Sequence, residues 1–380
     1  MRIAEVLQTA RDAICALGRE LAAWKLSAER ALVGINAVAS VLLAVALAHM
    51  LHLSDAWWVA ISSFAVMQMR FTASLERAIQ RVLGTIIGAL AGTLAGPLIG
   101  ERLWLFVPVL GMIAGVTVYR ANTSSASYAW VLGGVTAVMV IYEAHELLAF
   151  NPTASFAMLR VVDVLIGVSA SVVVAGAMYV SQQWYRRHRP VPSVAAAAGA
   201  AANADLSALE PLRGAYAHAA VQAGIAVAIF AAFAHTLKLP SLAQALVTII
   251  AVLILPPSST ADLHKPAAVK MLQRVMGCLL AGAVGVVLLP LLQGRAIPCL
   301  VALSAGVWAG CHVQTGQQGA SYIGRQFTIA FIMVFVQDNG WSAEPHVAML
   351  RLAGIVGGIA ILSCVMIVAN QLTAPSRLKI

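Results

Sequence analysis

Apolar runs of close to 20 residues recur along the chain from Ala31 onward, and the breaks between them collect most of its polar and charged positions. About 20 apolar residues wound as a helix cross roughly 30 Å of hydrocarbon. The pattern therefore predicts an all-α polytopic membrane protein. Twelve membrane-level helices fit, over 30–50, 56–69, 79–99, 103–119, 125–143 and 157–181, then 216–236, 241–256, 271–292, 296–313, 320–337 and 347–370. The second, fourth, eighth and tenth are short for a full span, which suggests tilted, broken or protein-buried helices. Ahead of them Ile3, Leu7, Ala10, Ile14, Leu17, Leu21 and Trp24 recur in steps of four and three, with charges between. That spacing predicts an amphipathic helix, lying on the cytoplasmic interface or the bundle, or else forming a coiled coil with a partner. Nothing in the first residues reads as a removable signal peptide.

The runs repeat in order. Gln80-Arg81-Val82-Leu83-Gly84 returns as Gln273-Arg274-Val275-Met276-Gly277, and the same shift of 193 carries Pro97 onto Pro290. Ala48-His49 returns as Ala234-His235, Ala126-Ser127-Tyr128 as Ala320-Ser321-Tyr322, and Met158-Leu159-Arg160 as Met349-Leu350-Arg351. Shifts confined to 186–194 point to two tandem copies. The growth of the shift places an insertion near Pro256-Pro257-Ser258-Ser259-Thr260 in the second. Six helices per copy make the repeats parallel. The expected domains are an amphipathic helix (1–29), a first membrane repeat (30–181), a cytoplasmic linker (182–215) and a second membrane repeat (216–372).

Composition agrees: 61% of the 380 residues are hydrophobic and 10% charged, against about a quarter charged in soluble domains. With both termini cytoplasmic, most of the 24 lysines and arginines fall on the cytoplasmic side and only Arg102, Lys238 and Arg295 on the other. The net charge of +9 thus reads as a positive-inside topology signal rather than a nucleic-acid surface. The five cysteines show no paired spacing, so neither a disulfide framework nor a metal site is implied. No phosphate loop, nucleophile elbow or catalytic carboxylate pair appears, which argues against an enzyme.

Charged groups at membrane depth carry what chemistry there is. Arg160 and Asp163 stand three apart on one helical face and read as a structural ion pair. Arg351 occupies Arg160's place in the second copy, but Gly354 replaces the acid, leaving snorkelling or pairing with Asp338 and Glu344 as the alternative to anion binding. Arg325 has no acid within one turn. An arginine without a counter-ion in low dielectric attracts a carboxylate, so Arg325 and Arg351 are candidate substrate-binding residues, with Tyr128 and Tyr322 as candidate hydrogen-bonding partners. Arg81 and Arg274 open the third and ninth helices and read either as topology charges or as a cytoplasmic funnel for anions. Gly84, Gly88, Gly92 and Gly96, answered by Gly277, Ala281 and Gly285, form small-residue stripes for close helix packing. Gly111 and Gly115 are answered in the same way by Gly306 and Gly310. His49 and His235 read as architectural, and Trp57, Trp58, Trp104 and Trp341 as an interfacial belt.

These residues resemble a known family. Trp58 to Gly88, with Met67-Gln68, Leu75-Glu76-Arg77-Ala78-Ile79-Gln80-Arg81-Val82-Leu83-Gly84-Thr85 and Gly88, is similar to the signature of the fusaric acid resistance and aromatic acid exporter proteins. Arg160, Asp163 and Gly167 resemble that family's sixth-helix motif, and Tyr128 with Thr136 its fifth-helix motif. The resemblance implies proton-motive-force-linked export of aromatic or other weak organic acids across a bacterial inner membrane. It implies no cofactor, and as partners a small organic anion, membrane lipids, a periplasmic adaptor protein and an outer-membrane channel; a homodimer is also expected. A similar six-helix half occurs in plant aluminium-activated malate channels, so a passive anion channel is the alternative, and a non-transporting scaffold for a biosynthetic complex a third reading. The chain departs from the long exporters in lacking a large central cytoplasmic domain, in the acid missing at Gly354, and in Cys278 where the family has threonine.

Overall fold

The computed structural model describes residues 3–23, 27–188, 212–237, 242–255, 264–337, 341 and 346–373. They form thirteen helices: α1 (Ile3–Ala22), α2 (Ala28–Met50), α3 (Ala56–Val66), α4 (Phe71–Ile99), α5 (Leu103–Thr123), α6 (Ser127–Leu147), α7 (Phe150–His188), α8 (Arg213–Leu237), α9 (Leu242–Val252), α10 (His264–Leu292), α11 (Ala296–Gln314), α12 (Ser321–Phe335) and α13 (His346–Thr373). Among the described residues nine helices are long and apolar enough to cross a membrane, so the chain is a multi-pass, all-α membrane protein.

Each expected helix has its counterpart, but the lengths differ. The second and eighth, α3 and α9, are indeed short, with 11 residues each. The fourth and tenth, α5 and α11, run to 21 and 19 residues and are long enough to span. The eleventh, α12, stops after 15 residues because the backbone turns extended at Val336. At 1.5 Å per residue, 11 residues reach only about 17 Å. A helix ending at such depth leaves backbone groups that must meet protein rather than lipid. Accordingly α3 is buried at every position except Trp58, and beyond its end the Gln68 amide donates to the Ser74 hydroxyl at 2.9 Å. At the end of α9 the Asn122 amide group of α5 donates to Leu253 O at 3.0 Å and accepts from Leu255 N at 2.8 Å. Lys270 of α10 donates to Ala251 O at 3.1 Å and also to Ile254 O, a cation at the negative end of a helix.

The helices α3 and α9 lie 186 residues apart at both ends, and α4 and α10, each of 29 residues, lie 193 apart. Helices α4 and α6 pack together, as do α10 and α12; α5 packs on α8, and α11 on α2. Among the described residues two large apolar cores result, beside three small clusters. One large core joins α5 and α6 to α8 and α9, the other α2 and α3 to α11 and α12. Each of these two draws residues from both sides of the central linker, whereas smaller clusters, such as Val66, Ala78, Val164 and Val168, stay within one set of six helices.

The glycine stripe faces a neighbouring backbone as expected. A Cβ on Gly84 or Gly88 would run into the carbonyl oxygens of Ala129 and Gly133 on α6, and one on Gly96 would lie 2.6 Å from Ala144 Cβ. A Cβ on Gly277 would stand 2.7 Å from Ile323 O, and one on Gly285 would strike Val334. Gly111 faces Gly224 of α8, whereas Gly306 and Gly310 face α12. Helix α1 docks on the bundle: Ala13, Ala16 and Glu20 are buried, and Glu20 pairs with Arg30 at 2.7 Å and accepts from Gln318 N at 3.0 Å. Helix α7, with 39 residues, runs on through Gln182 to His188, the start of the expected linker. The rest of that linker up to residue 211, the insertion at Pro256–Thr260, and Asp338 and Glu344 lie outside the described residues.

Candidate anion site

Two arginines sit inside the bundle on equivalent helices. Arg81 of α4 is 4% exposed and donates to the Tyr128 hydroxyl at 2.8 Å and to the Ser62 hydroxyl at 2.9 Å. Arg274 of α10 is 7% exposed and donates to the Gln326 side-chain oxygen at 2.8 Å and to the Thr248 hydroxyl at 3.2 Å. Ser62 and Thr248 occupy corresponding places on α3 and α9, so each short helix presents a hydroxyl to the arginine of its own half. Among the described residues neither arginine has an ion-pair partner. Arg81 Nε meets no hydrogen-bond acceptor among the described residues. Neutral acceptors satisfy donors but leave the positive charge in place.

Further cations stand close by, one turn before each buried arginine. Arg77 lies over the Tyr128 ring, 5.3 Å from its centroid, and Lys270 over the Tyr322 ring at 5.1 Å. Arg325 of α12, half-buried, is within electrostatic range of both Arg77 and Lys270. Lys270 is occupied with the end of α9, whereas Arg77 and Arg325 make no hydrogen bond or ion pair to any described residue. Two like charges, one from each set of six helices, are thus held where they repel. An anion between them would remove the repulsion and supply acceptors.

Arg160 is differently placed. Its tightest partner is Asp55, just before α3, and Asp163 stands farther off at 3.9 Å. The guanidinium is also wrapped by aromatic rings, 5.0 Å from the Trp58 centroid, 4.9 Å from Phe156 and 6.0 Å from Trp57. Helical spacing pointed to Asp163 as the partner; the α2–α3 turn brings a closer acid from 105 residues away. A cavity of ≈ 30 Å³ lies between Arg81 and Arg160, lined also by Trp58, Thr85, Thr136 and Met139. That is room for about two waters. A smaller cavity, ≈ 20 Å³, on the second set of helices has an apolar lining that includes Cys278, Met333 and Leu352.

Several candidates therefore change surroundings. Arg81 and Arg274, expected at the cytoplasmic side as topology charges or as a funnel, are enclosed by protein because hydroxyl and amide acceptors from α3, α6, α9 and α12 surround them. Tyr128, a candidate for the substrate site with Arg325 and Arg351, bonds Arg81 instead, while Tyr322 meets Lys270 rather than Arg274. Trp57 is buried and Trp58 half-buried around Arg160, so neither belongs to an interfacial belt; Trp104, 71% exposed, fits one. Arg351 lies on α13, but its side chain falls outside the described residues. His235 meets His145 of α6, with Nδ1 and Nε2 2.7 Å apart. Reasoning from sequence missed Arg77, Asp55, Ser62, Thr248, Gln326 and His145. One signal was available for the first: Arg77 maps onto Lys270 by the same shift of 193 that relates Arg81 to Arg274.

No curated protein and no solved structure matches the chain. A family model does: residues 43–174, from the middle of α2 into α7, match the model described as fusaric acid resistance protein-like, a family of membrane transporters. The matched segment contains Asp55, Arg77, Arg81, Tyr128, Arg160 and Asp163. The family resemblance read from the motifs is borne out over residues 43–174, which are similar to the fusaric acid resistance protein-like family.

Proposed function

We propose that the chain exports organic anions, aromatic or other weak carboxylic acids among them, across a bacterial inner membrane. In this reading the carboxylate is received between Arg77 and Arg325, with Arg81 and Arg274 supplying fixed positive charge behind them. The observation that carries the reading is the set of cations in the bundle, drawn from α4, α10 and α12: among the described residues Arg81 and Arg274 bond only neutral groups, and Arg77 and Arg325 repel one another, with Glu76 as the acid beside Arg77. A protein interior does not hold repelling charges together for packing; replacing them with apolar residues would cost less. Arg351 stays with the site on its sequence position alone. The matched shifts of α3 to α9 and α4 to α10 support two parallel repeats about an axis along the membrane normal, and the charge bias supports cytoplasmic termini.

The proton motive force acts here chiefly through its electrical part. An interior-negative potential pushes a monovalent anion outward by about 2.3 kcal/mol for each 100 mV. Proteoliposomes loaded with benzoate and given an interior-negative potassium diffusion potential should release it faster than at zero potential. Release no faster than from protein-free liposomes at either potential would reject the reading.

A further inference from the structure

Arg160 is one cation facing two carboxylates. It is in tight contact with Asp55 Oδ2, while Asp163 Oδ2 stands 3.9 Å away and accepts no hydrogen bond. The Asp163 side chain is 3% exposed, that of Asp55 23%. The neighbouring helices bring few other charges. Glu143 of α6 lies within electrostatic range of both Arg160 and Asp55, and Arg81 of α4 lies across the cavity from Arg160. Helix α2 carries ionisable groups only at its ends, Glu29, Arg30 and His49. With Arg160, Asp55 and Asp163 all ionised, the knot bears a net negative charge, and the surplus sits on its most buried member. A buried carboxylate without hydrogen bonds relieves that cost by taking a proton.

We propose that Asp163 is a proton-binding site inside the membrane, linked through Arg160 to the cavity between Arg160 and Arg81. Asp163 does not line the cavity; it acts by changing how much of Arg160's charge remains uncancelled. When Asp163 is protonated, Arg81, Arg160 and Asp55, counted without Glu143, together carry one net positive charge, which adds to the positive field behind the Arg77–Arg325 pair. When Asp163 is ionised that charge is cancelled. Proton and anion therefore favour each other's binding, and by linkage the effect is reciprocal. Only this last step rests on the anion-transport reading; the proton site stands on the geometry of the three side chains.

The test is infrared difference spectroscopy of the full chain in lipid nanodiscs, with benzoate as the probe anion. Wild-type protein should show a protonated-carboxyl C=O band that disappears as pH rises, and Asp163→Asn should lack it. Asp55→Asn removes Arg160's tighter acid, leaves more of its charge to Asp163 and should move the disappearance to lower pH, a shift readable even if Asp163→Asn fails to fold. Benzoate should move it to higher pH in the wild type, and benzoate affinity should be about tenfold greater at about pH 6 than at about pH 9. A wild-type protein with no such band between about pH 5 and about pH 9, or a band that persists in Asp163→Asn, overturns the proton site. A band indifferent to benzoate overturns its link to the anion. Loss of benzoate transport beside an intact titrating band would count against the transport reading alone.

Discussion

Arg81 and Arg274 carry a buried charge by different means at equivalent places. Tyr128 holds Arg81 through its hydroxyl; in the other half Gln326 takes that part, and Tyr322 offers only its ring, to Lys270. Hydrogen bonds to a charged group contribute about 1.5–3 kcal/mol each, and stranding a buried donor costs as much. Tyr128→Phe should therefore lower the thermal midpoint of the detergent-purified protein by several degrees, while Tyr322→Phe, which keeps the ring, should shift it little. Equal shifts would mean that the Arg81–Tyr128 bond contributes nothing. The arginines themselves were legible from sequence, because a repeated Gln-Arg motif survives in the chain. Their partners were not, since a serine, a threonine or a glutamine reaching across from another helix leaves no spacing to read. Asp55 was hidden for the same reason: helical periodicity ranks only neighbours within a turn or so, and Arg160's closest acid comes from the α2–α3 turn.

At the scale of the element, the glycine stripes were the most readable feature. Their four-residue period predicts close backbone contact, and α4 lies on α6 in that way. Gly88→Ala should reduce the yield of monodisperse protein, because its methyl would meet the Gly133 backbone, which cannot move aside as a side chain can. Gly176→Ala, whose methyl would rest 3.6 Å from Phe71, should be tolerated. Normal yield from both variants in size-exclusion chromatography would contradict the packing account. Helix lengths were less legible. Hydropathy ran through the unwound ends of α3 and α9, since the residues there stay apolar while Ser74, Asn122 and Lys270 serve the backbone. Helix α1 is held by the buried Glu20, so Glu20→Ala should leave Arg30 and the Gln318 amide without that partner and loosen α1 from the bundle. Faster limited proteolysis within the first 23 residues is the expected sign; an unchanged cleavage rate would show that Ala13 and Ala16 suffice.

For the whole molecule, both large cores cross between the two sets of six helices, and so do Arg77 and Arg325. Reporter fusions after Arg189 and Ile380 should both report the cytoplasm; an external signal at either would contradict the parallel plan. The central claim is that an anion is received between Arg77 and Arg325, and these two can be changed with little harm to the fold, since neither makes a hydrogen bond or ion pair to a described residue. The most direct measurement is benzoate flux in proteoliposomes, titrated with benzoate, for the wild type, Arg77→Gln and Arg325→Gln at matched thermal midpoints. Losing one charge-assisted contact of about 1.5–3 kcal/mol should raise the half-saturating concentration about ten- to a hundredfold in each variant. Wild-type half-saturation in both, with unchanged maximal flux, would contradict the claim and make these arginines topology charges.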